Sequence, residues 1–434
     1  MINARHLAAI AGALVVAGLG LPAAGHAQAI AYQPVLESDA VVAMAAQYPA
    51  GTARRVIPPR LVGDTAWPVE HAQQLLEFIA GIAAEGLEPA DYRADELRAA
   101  IAAGEGPRLD AVAGTVFGLL VADLRDGHTP LDDRRAYLME DPDAALNPTP
   151  ALMERALASG DVAGVLLGLN PAHPDYAALR SALAATPMGD ARRRNLIRAN
   201  MDRWRWLPRE LGGINVLVNV PEFMVRLSIN GQTANSYRAI VGRPGRSATP
   251  QLSEMVEGVI LNPTWTVPQS IVVGEGLGSR VLGNPAWART MGYVATRSGG
   301  VTTVVQQPGP RNALGLMKLD MPNEHAIFLH DTPSRGLFNQ PGRALSHGCV
   351  RVERALEFAM TLSLLGQGAG IEEAMGYSRS GQYTRVPLQR QIPVYIAYFT
   401  MGVNDAGELT EFGDIYNRDG PVLAALARPE TRQI

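Results

Sequence analysis

Apolar residues recur at two different periods along this chain, and the change of period divides it. From about Pro68 to Leu183 the period is helical. Val69-Glu70-His71-Ala72-Gln73-Gln74-Leu75-Leu76-Glu77-Phe78-Ile79 carries apolar residues at helix spacing, with Gly81 and Gly86 at its end. Asp91–Ala103 repeats the pattern, with Asp91 as its expected N-cap. Leu109–Leu124, Pro150–Ala158 and Pro174–Ala185 read as further helices. Pro142, Pro148, Pro150, Pro171 and Pro174 punctuate the loops between them. The stretch is rich in Ala and Leu and poor in β-branched runs, so it reads as a helical scaffold. Its histidines, His71, His128 and His173, are scattered without evident partners and read as structural or surface residues.

After Gly212-Gly213 the period falls to two. Ile214-Asn215-Val216-Leu217-Val218-Asn219-Val220 alternates as a strand does, and Phe223–Ile229 follows it. Asn230-Gly231 is a strong hairpin turn, and Tyr237–Val241 pairs back. Val256–Leu261, Thr302–Val305, Ala326–Leu329 and Pro393–Thr400 are further strands. Val350–Leu365 reads as one long helix. Many short strands with Gly/Pro turns indicate a sandwich-like or barrel-like β domain.

Between the halves, residues 190–210 concentrate Arg192, Arg193, Arg194, Arg198, Arg203, Arg205 and Arg209 with Trp204 and Trp206. An acidic polymer is one partner such a run suits. Leu196, Ile197, Met201 and Trp204 fall near one helical stripe, which favours a helix docking on the next domain.

The N-terminus reads as an export signal. Arg5 and His6 precede an apolar run from Leu7 to Leu21, Pro22 ends it, and Ala27-Gln28-Ala29 supplies small residues for cleavage. The run is short for a membrane anchor. The expected mature chain is periplasmic, with no stable membrane span after cleavage. It keeps about 400 residues, room for two or three domains. A formal net charge of −4 gives no reason to expect a nucleic-acid partner.

The chain has one cysteine, in Ser346-His347-Gly348-Cys349-Val350-Arg351. A lone Cys forms no internal disulfide. His330 closes the Ala326–Leu329 strand, and fifteen residues separate it from Ser346. A thiol with histidines nearby has the parts of a nucleophile and its base. With Val350 opening a helix, the macrodipole would favour the thiolate. The His347, Gly348 and Cys349 amides would converge on an oxyanion. An inert buried Cys, a zinc site and a redox sensor are the competing readings. Zinc wants a fourth ligand at a recognisable spacing and none appears, so no metal and no cofactor are expected.

His330 and Ser346-His347-Gly348-Cys349-Val350-Arg351 resemble the signature of the L,D-transpeptidases of bacterial cell walls, whose catalytic domain is of the YkuD type. Asn262-Pro263-Thr264-Trp265-Thr266-Val267-Pro268-Gln269-Ser270-Ile271 and Leu329-His330-Asp331-Thr332-Pro333-Ser334-Arg335-Gly336-Leu337-Phe338 are similar to segments of the YcbB-like branch. Asn200–Pro208 resembles its domain-entry helix, and Gly86–Tyr92 the start of its scaffold domain. The resemblance implies an α+β chain. A signal peptide (1–29) and a helical scaffold domain (30–205) precede a mainly β catalytic domain (206–434), whose lid insertion covers about 272–307.

The activity implied is crosslinking of peptidoglycan stem peptides. Cys349 attacks a tetrapeptide donor, D-Ala leaves, and the amine of an acceptor stem resolves the thioester into a 3→3 crosslink. A 1→3 acceptor, water or a lipoprotein lysine are alternatives, as is a non-catalytic wall-binding role. Carbapenem acylation of Cys349 is also implied. His330 is the implied base, oriented by a backbone carbonyl near Asp331. His347 and Gly348 support the oxyanion, and Arg351 meets the donor's carboxylate or stabilises the loop. Trp265, Asn262, Tyr293, Arg311, Asn312, Asp331 and Ser346 complete the candidate substrate contacts. No peptidoglycan-binding module fits between Asp141 and Arg194, so recruitment falls to the scaffold, the lid or other wall-synthesis proteins.

Overall fold

A computed structural model describes residues 65–140 and 142–428. The expected export signal and the start of the expected scaffold lie outside the described residues. No helix among the described residues is long and apolar enough to cross a membrane.

The first unit is helical. Val69–Gly81, Ala94–Ala103, Pro107–Asp126, Thr149–Ser159 and Val162–Leu167 surround a core of Leu75, Ile79, Leu97, Phe117, Leu120, Leu152 and Leu166. Leu75, Ile79 and Ile82 lie one helical turn apart and are all buried. Asp91 is not the expected cap. It sits in a 3₁₀ turn, Pro89–Tyr92, and the helix starts at Ala94 behind Arg93, whose φ is +47°. Proline ahead of Asp91 favours that turn.

The basic segment forms the Ala191–Trp204 helix, capped by the Asp190 carboxylate on the Arg193 amide. It docks on the β domain, as its apolar stripe suggests. Trp204 stacks between His173 (4.2 Å) and Phe399 (4.4 Å). Several arginines turn inward. Arg203 meets Asp419 at 2.6 Å, and Arg205 donates to the Glu85 carbonyl and the Tyr176 hydroxyl, each at 2.6 Å. The scaffold histidines are not partnerless. His128 Nδ1 lies 2.8 Å from the Asp123 carboxylate, which also accepts from Tyr92.

The β domain begins with β1 (Ile214–Asn219), β2 (Met224–Ile229) and β3 (Gln232–Gly242). Asn230 and Gly231 link β2 to β3 at φ +50° and +76°, as a type I′ turn requires. β4 is Leu252–Leu261, β5 Trp265–Thr266, β6 Tyr293–Ser298, β7 Val301–Gln306 and β8 Met317–Asp320. Then come β9 (Leu329–His330), β10 (Ala344–Ser346), β11 (Val350–Val352) and β12 (Thr384–Ala397). The main sheet runs β10-β3-β11-β9-β8-β4-β12-β1-β2, and β2 also pairs with β3, so the sheet closes on itself. Its core joins Val216, Leu227, Val256, Leu319 and Val394 to Phe358 of the Ala355–Leu365 helix.

Two elements at the site differ from expectation. Ala326 has φ +52°, outside any strand, and the strand holds only Leu329 and His330. Asn323 causes this: its side chain accepts from the His325 and Ile327 amides and donates to the Met321 and Ile327 carbonyls. The expected long helix is a strand, Val350–Val352, followed by a helix from Ala355. Arg354, at φ +50°, separates them. Val350 and Val352 alternate around Arg351 and suit a strand.

Residues 269–306 are not a plain loop. The helices Gln269–Gly274, Leu277–Gly283 and Pro285–Met291 lead into the β6–β7 hairpin, and β5 pairs with β7. This insertion has its own small core of Val267, Val272, Val281, Ala288 and Val304. Helices of six or seven residues leave too little periodicity to read.

Asp202 joins the halves. Its buried carboxylate accepts from the His128 amide (2.6 Å), the Thr129 amide (3.1 Å) and Trp206 Nε1 (3.2 Å). Replacing it with Ala orphans buried donors beside Arg205. Asp202→Ala should therefore lower the unfolding free energy by about 3–5 kcal/mol in urea titrations. A loss below about 1 kcal/mol would mean that water replaces the carboxylate.

Candidate active site

Strand alternation builds the site. Lys318 pairs with His330 across β8 and β9, and Arg351 pairs with His330 across β9 and β11. Residues paired in register project from one face of a sheet. Their neighbours Met317, Leu319, Leu329, Val350 and Val352 fill the core on the other face. Cys349, the residue just before β11, lies close enough to Lys318 and Arg351 for their charges to act on it. One face of three adjacent strands thus brings together an imidazole, an ammonium and a guanidinium, with the thiol close by.

The imidazole is oriented. His330 Nδ1 lies 2.5 Å from the backbone carbonyl of Asp331. The proton therefore sits on Nδ1, donated to that oxygen, and the Leu314 carbonyl also lies within hydrogen-bonding reach of the ring. Phe328 sets its ring edge-on to the imidazole, with centroids 6.0 Å apart. His330 is buried, and burial with the nearby Arg351 charge lowers its pKa to about 3. The ring is neutral at any physiological pH.

The thiol is half-buried, and Sγ donates to the Ala326 carbonyl at 3.5 Å. Burial pushes its pKa up. A backbone hydrogen bond from Phe328 and the charges of Lys318 and Arg351 pull it part of the way back. The helix-dipole activation expected from the sequence is absent, because the helix starts six residues beyond Cys349. The resting site thus holds a neutral thiol and a neutral imidazole.

The loop carrying Cys349 is held from beneath. Gly348 has φ +129°, and a Cβ there would stand 3.1 Å from Ile327 Cδ1. The Ser346 hydroxyl donates to the Cys349 carbonyl at 2.6 Å and accepts from the Gly348 amide at 3.1 Å. That amide is committed within the loop, contrary to the expected three-amide oxyanion hole. The buried Thr249 hydroxyl donates to the Gly348 carbonyl at 2.7 Å. Thr249 is fixed in turn by the Tyr416 hydroxyl and by Arg418.

The other candidates divide. His347 turns away to Glu275 of the insertion (2.7 Å) and to Arg243 (2.6 Å), so it bridges two surface segments. Asn262 is buried at φ +49° and donates to the Tyr377, Ser378 and Gln382 carbonyls. Asn312 is buried and donates to the Pro263, Gln306 and Gln307 carbonyls. Both amides are spent inside the chain, which corrects their expected role as substrate contacts. Asp331 is likewise buried, and its carboxylate accepts from the Leu316 amide at 2.9 Å. Arg311 is exposed and donates to the Thr290 carbonyl. Trp265 packs against the insertion core, as does Tyr293, which also stacks on Trp287 at 5.6 Å. Arg351 stays with Cys349, and its buried Nε has no hydrogen-bond partner among the described residues.

Sequence reasoning missed Lys318, Thr249 and Tyr416. Thr249 and Tyr416 act through tertiary contacts that carry no local signal. Lys318 did have one: it is the chain's single lysine.

Residues 214–375 match the family model described as YkuD, the L,D-transpeptidase catalytic domain, and residues 60–183 match one described as a scaffold domain. The chain carries a YkuD L,D-transpeptidase catalytic domain. A Haemophilus influenzae relative whose L,D-transpeptidase name is itself provisional is 32% identical over 244 residues. That match covers 52% of this chain and 48% of the relative, so the chain spans about half of the relative's length. L,D-transpeptidase 1 of Mycobacterium tuberculosis is 14% identical, with 43% of this chain and 61% of that chain covered and a TM-score of 0.19. L,D-transpeptidase 3 of the same organism, solved with a faropenem-derived adduct, is 13% identical, with 43% and 60% covered and a TM-score of 0.21.

In this L,D-transpeptidase domain the raised thiol and the lowered imidazole fix the pH dependence of Cys349. Thiolate forms only as pH rises through and beyond the ordinary thiol range near about 8.5. Iodoacetamide alkylation of Cys349 should rise along that single limb and fall away below it. A rate that stays high down to about pH 5 would instead reveal a thiolate–imidazolium pair.

Proposed function

We propose that the chain is a periplasmic peptidoglycan transpeptidase that works through a Cys349 thioester and closes 3→3 crosslinks. In this reading residues 30–205 are the scaffold, residues 206–434 the catalytic domain, and residues 272–307 a lid over the cleft. One observation supports the chemistry: the Asp331 carbonyl holds His330 Nδ1, and His330 pairs in register with Arg351, two residues from Cys349.

Nε2 of His330 takes the thiol proton as Sγ bonds to the carbonyl carbon between the diaminopimelate L-centre and D-Ala. The C–N bond breaks, the proton passes from His330 to the departing D-Ala amine, and a thioester remains. The side-chain amine of a second stem then attacks the thioester. His330 accepts its proton and returns it to the leaving sulfur. A histidine neutral at rest suits both steps, because it must accept a proton each time before it can give one.

The Arg351 guanidinium, with an unpartnered buried nitrogen, suits a donor carboxylate. His347 and Glu275 tie the catalytic loop to the insertion, which suits a lid whose position matters to the cleft. Water or another amine can resolve the same thioester, and the acceptor side decides between them.

Tetrapeptide muropeptides incubated with the protein should release D-Ala and yield a crosslinked dimer, identified by mass spectrometry. Cys349→Ala should abolish both products, and His330→Ala should lower the rate at least about 10²-fold. D-Ala release without dimer would assign water as acceptor. Neither product from the wild-type protein would overturn the acyl-transfer reading.

A further inference from the structure

The chain contains 38 basic residues, of which 37 are arginine and one is lysine. Every other cationic position is filled by a guanidinium, including buried ones such as Arg203 and Arg205. The single ammonium is Lys318, close enough to the single thiol for its charge to act on it. It pairs in register with His330, whose other neighbour in the sheet is Arg351. Its Nζ lies 3.8 Å from the centroid of the Phe328 ring, whose edge-on partner is His330.

Lys318 is half-buried, and among the described residues it has no ion pair. Asp320, two residues along the same strand, is engaged by Arg385 at 2.5 Å. A partly desolvated ammonium with no carboxylate in contact is costly unless negative charge forms near it. Around it stand Cys349, His330, Arg351 and Asp320, with Arg243 beyond Arg351. Of these, Cys349 is the group that gains negative charge during acyl transfer.

We propose that Lys318 is a positioning residue of the Cys349–His330 pair, whose ammonium stabilises the negative charge on the sulfur as His330 takes the proton. The proposal deepens the acyl-transfer reading and rests on it. Burial lowers the ammonium's own pKa, and the nearby Cys349 and Asp320 oppose that shift. The same positive charge helps keep a proton off resting His330.

The choice of lysine follows from size and shape. An ammonium is a compact point charge that fits over the Phe328 ring beside a single atom. A guanidinium is a planar fork suited to two oxygens. Arg351, on the other side of His330, supplies that fork.

The test is the pH dependence of Cys349 alkylation in Lys318→Met, Lys318→Gln and Lys318→Arg, with thermal unfolding measured on each. The neutral variants should move the alkylation midpoint up by about one pH unit, a tenfold loss of thiolate at pH 7.5. Lys318→Arg keeps the charge in a bulkier group and should leave the midpoint closer to the wild-type value than either neutral variant does. Should Lys318→Met not fold, Lys318→Gln against Lys318→Arg gives the same comparison. A folded neutral variant with an unchanged midpoint overturns the proposal. So does an arginine variant shifted as far as the neutral ones, because packing rather than charge would then set the midpoint. The readout needs no turnover. Absence of crosslinking by the wild-type protein would therefore sink the acyl-transfer reading without masking the result for Lys318.

Discussion

Met317, Leu319, Leu329, Val350 and Val352 are held in the core by the same alternation that sends Lys318, His330 and Arg351 to the opposite face. Side chains on a strand cannot change face without a register slip, and a slip would drive charges into the core. The apolar residues therefore fix where the polar ones stand. The Asp331 carbonyl then fixes the imidazole, and Ser346 and Thr249 fix the turn that presents the thiol. Each of these acts on groups that the sheet has already placed.

Placement also sets the electrostatics. Burial works against charge on both reacting groups, raising the thiol and lowering the imidazole, so the resting site is neutral. Two nearby cations make the eventual thiolate less costly and an early proton on His330 more costly. In the proposed acyl transfer, a site so arranged would react by proton transfer during attack and would not rely on a standing thiolate. A neutral thiol is also less prone to oxidation than a thiolate. The scaffold is bound into the same body: Asn200 and Arg203 meet Thr400, just beyond the last residue of β12.

Much of this was legible in the sequence. Asn230-Gly231 and the alternation of β1 gave the hairpin and the β domain, and the unique Cys349 marked the candidate nucleophile. The apolar stripe of the Ala191–Trp204 helix gave its docking face. What could not be read depended on partners distant in the chain. Asn262 and Asn312 read as substrate contacts in the sequence, but their amides are spent on the Tyr377, Ser378, Gln306 and Gln307 carbonyls. The helix expected to open at Val350 failed because β-branched Val350 and Val352 were claimed by neighbouring strands, which no local propensity reveals. The insertion went unread as a folded unit because its helices are one or two turns long.

The central claim is that a stem peptide passes through a covalent bond to Cys349. Rapid quenching of the protein with a tetrapeptide donor in acid, followed by intact-mass and peptide mapping, tests it most directly. A mass increase equal to the donor less D-Ala, located on the peptide containing Cys349 and removed by hydroxylamine, is the predicted result. Turnover of the donor with no adduct at Cys349 at any quench time, and undiminished turnover by Cys349→Ala, would contradict the account.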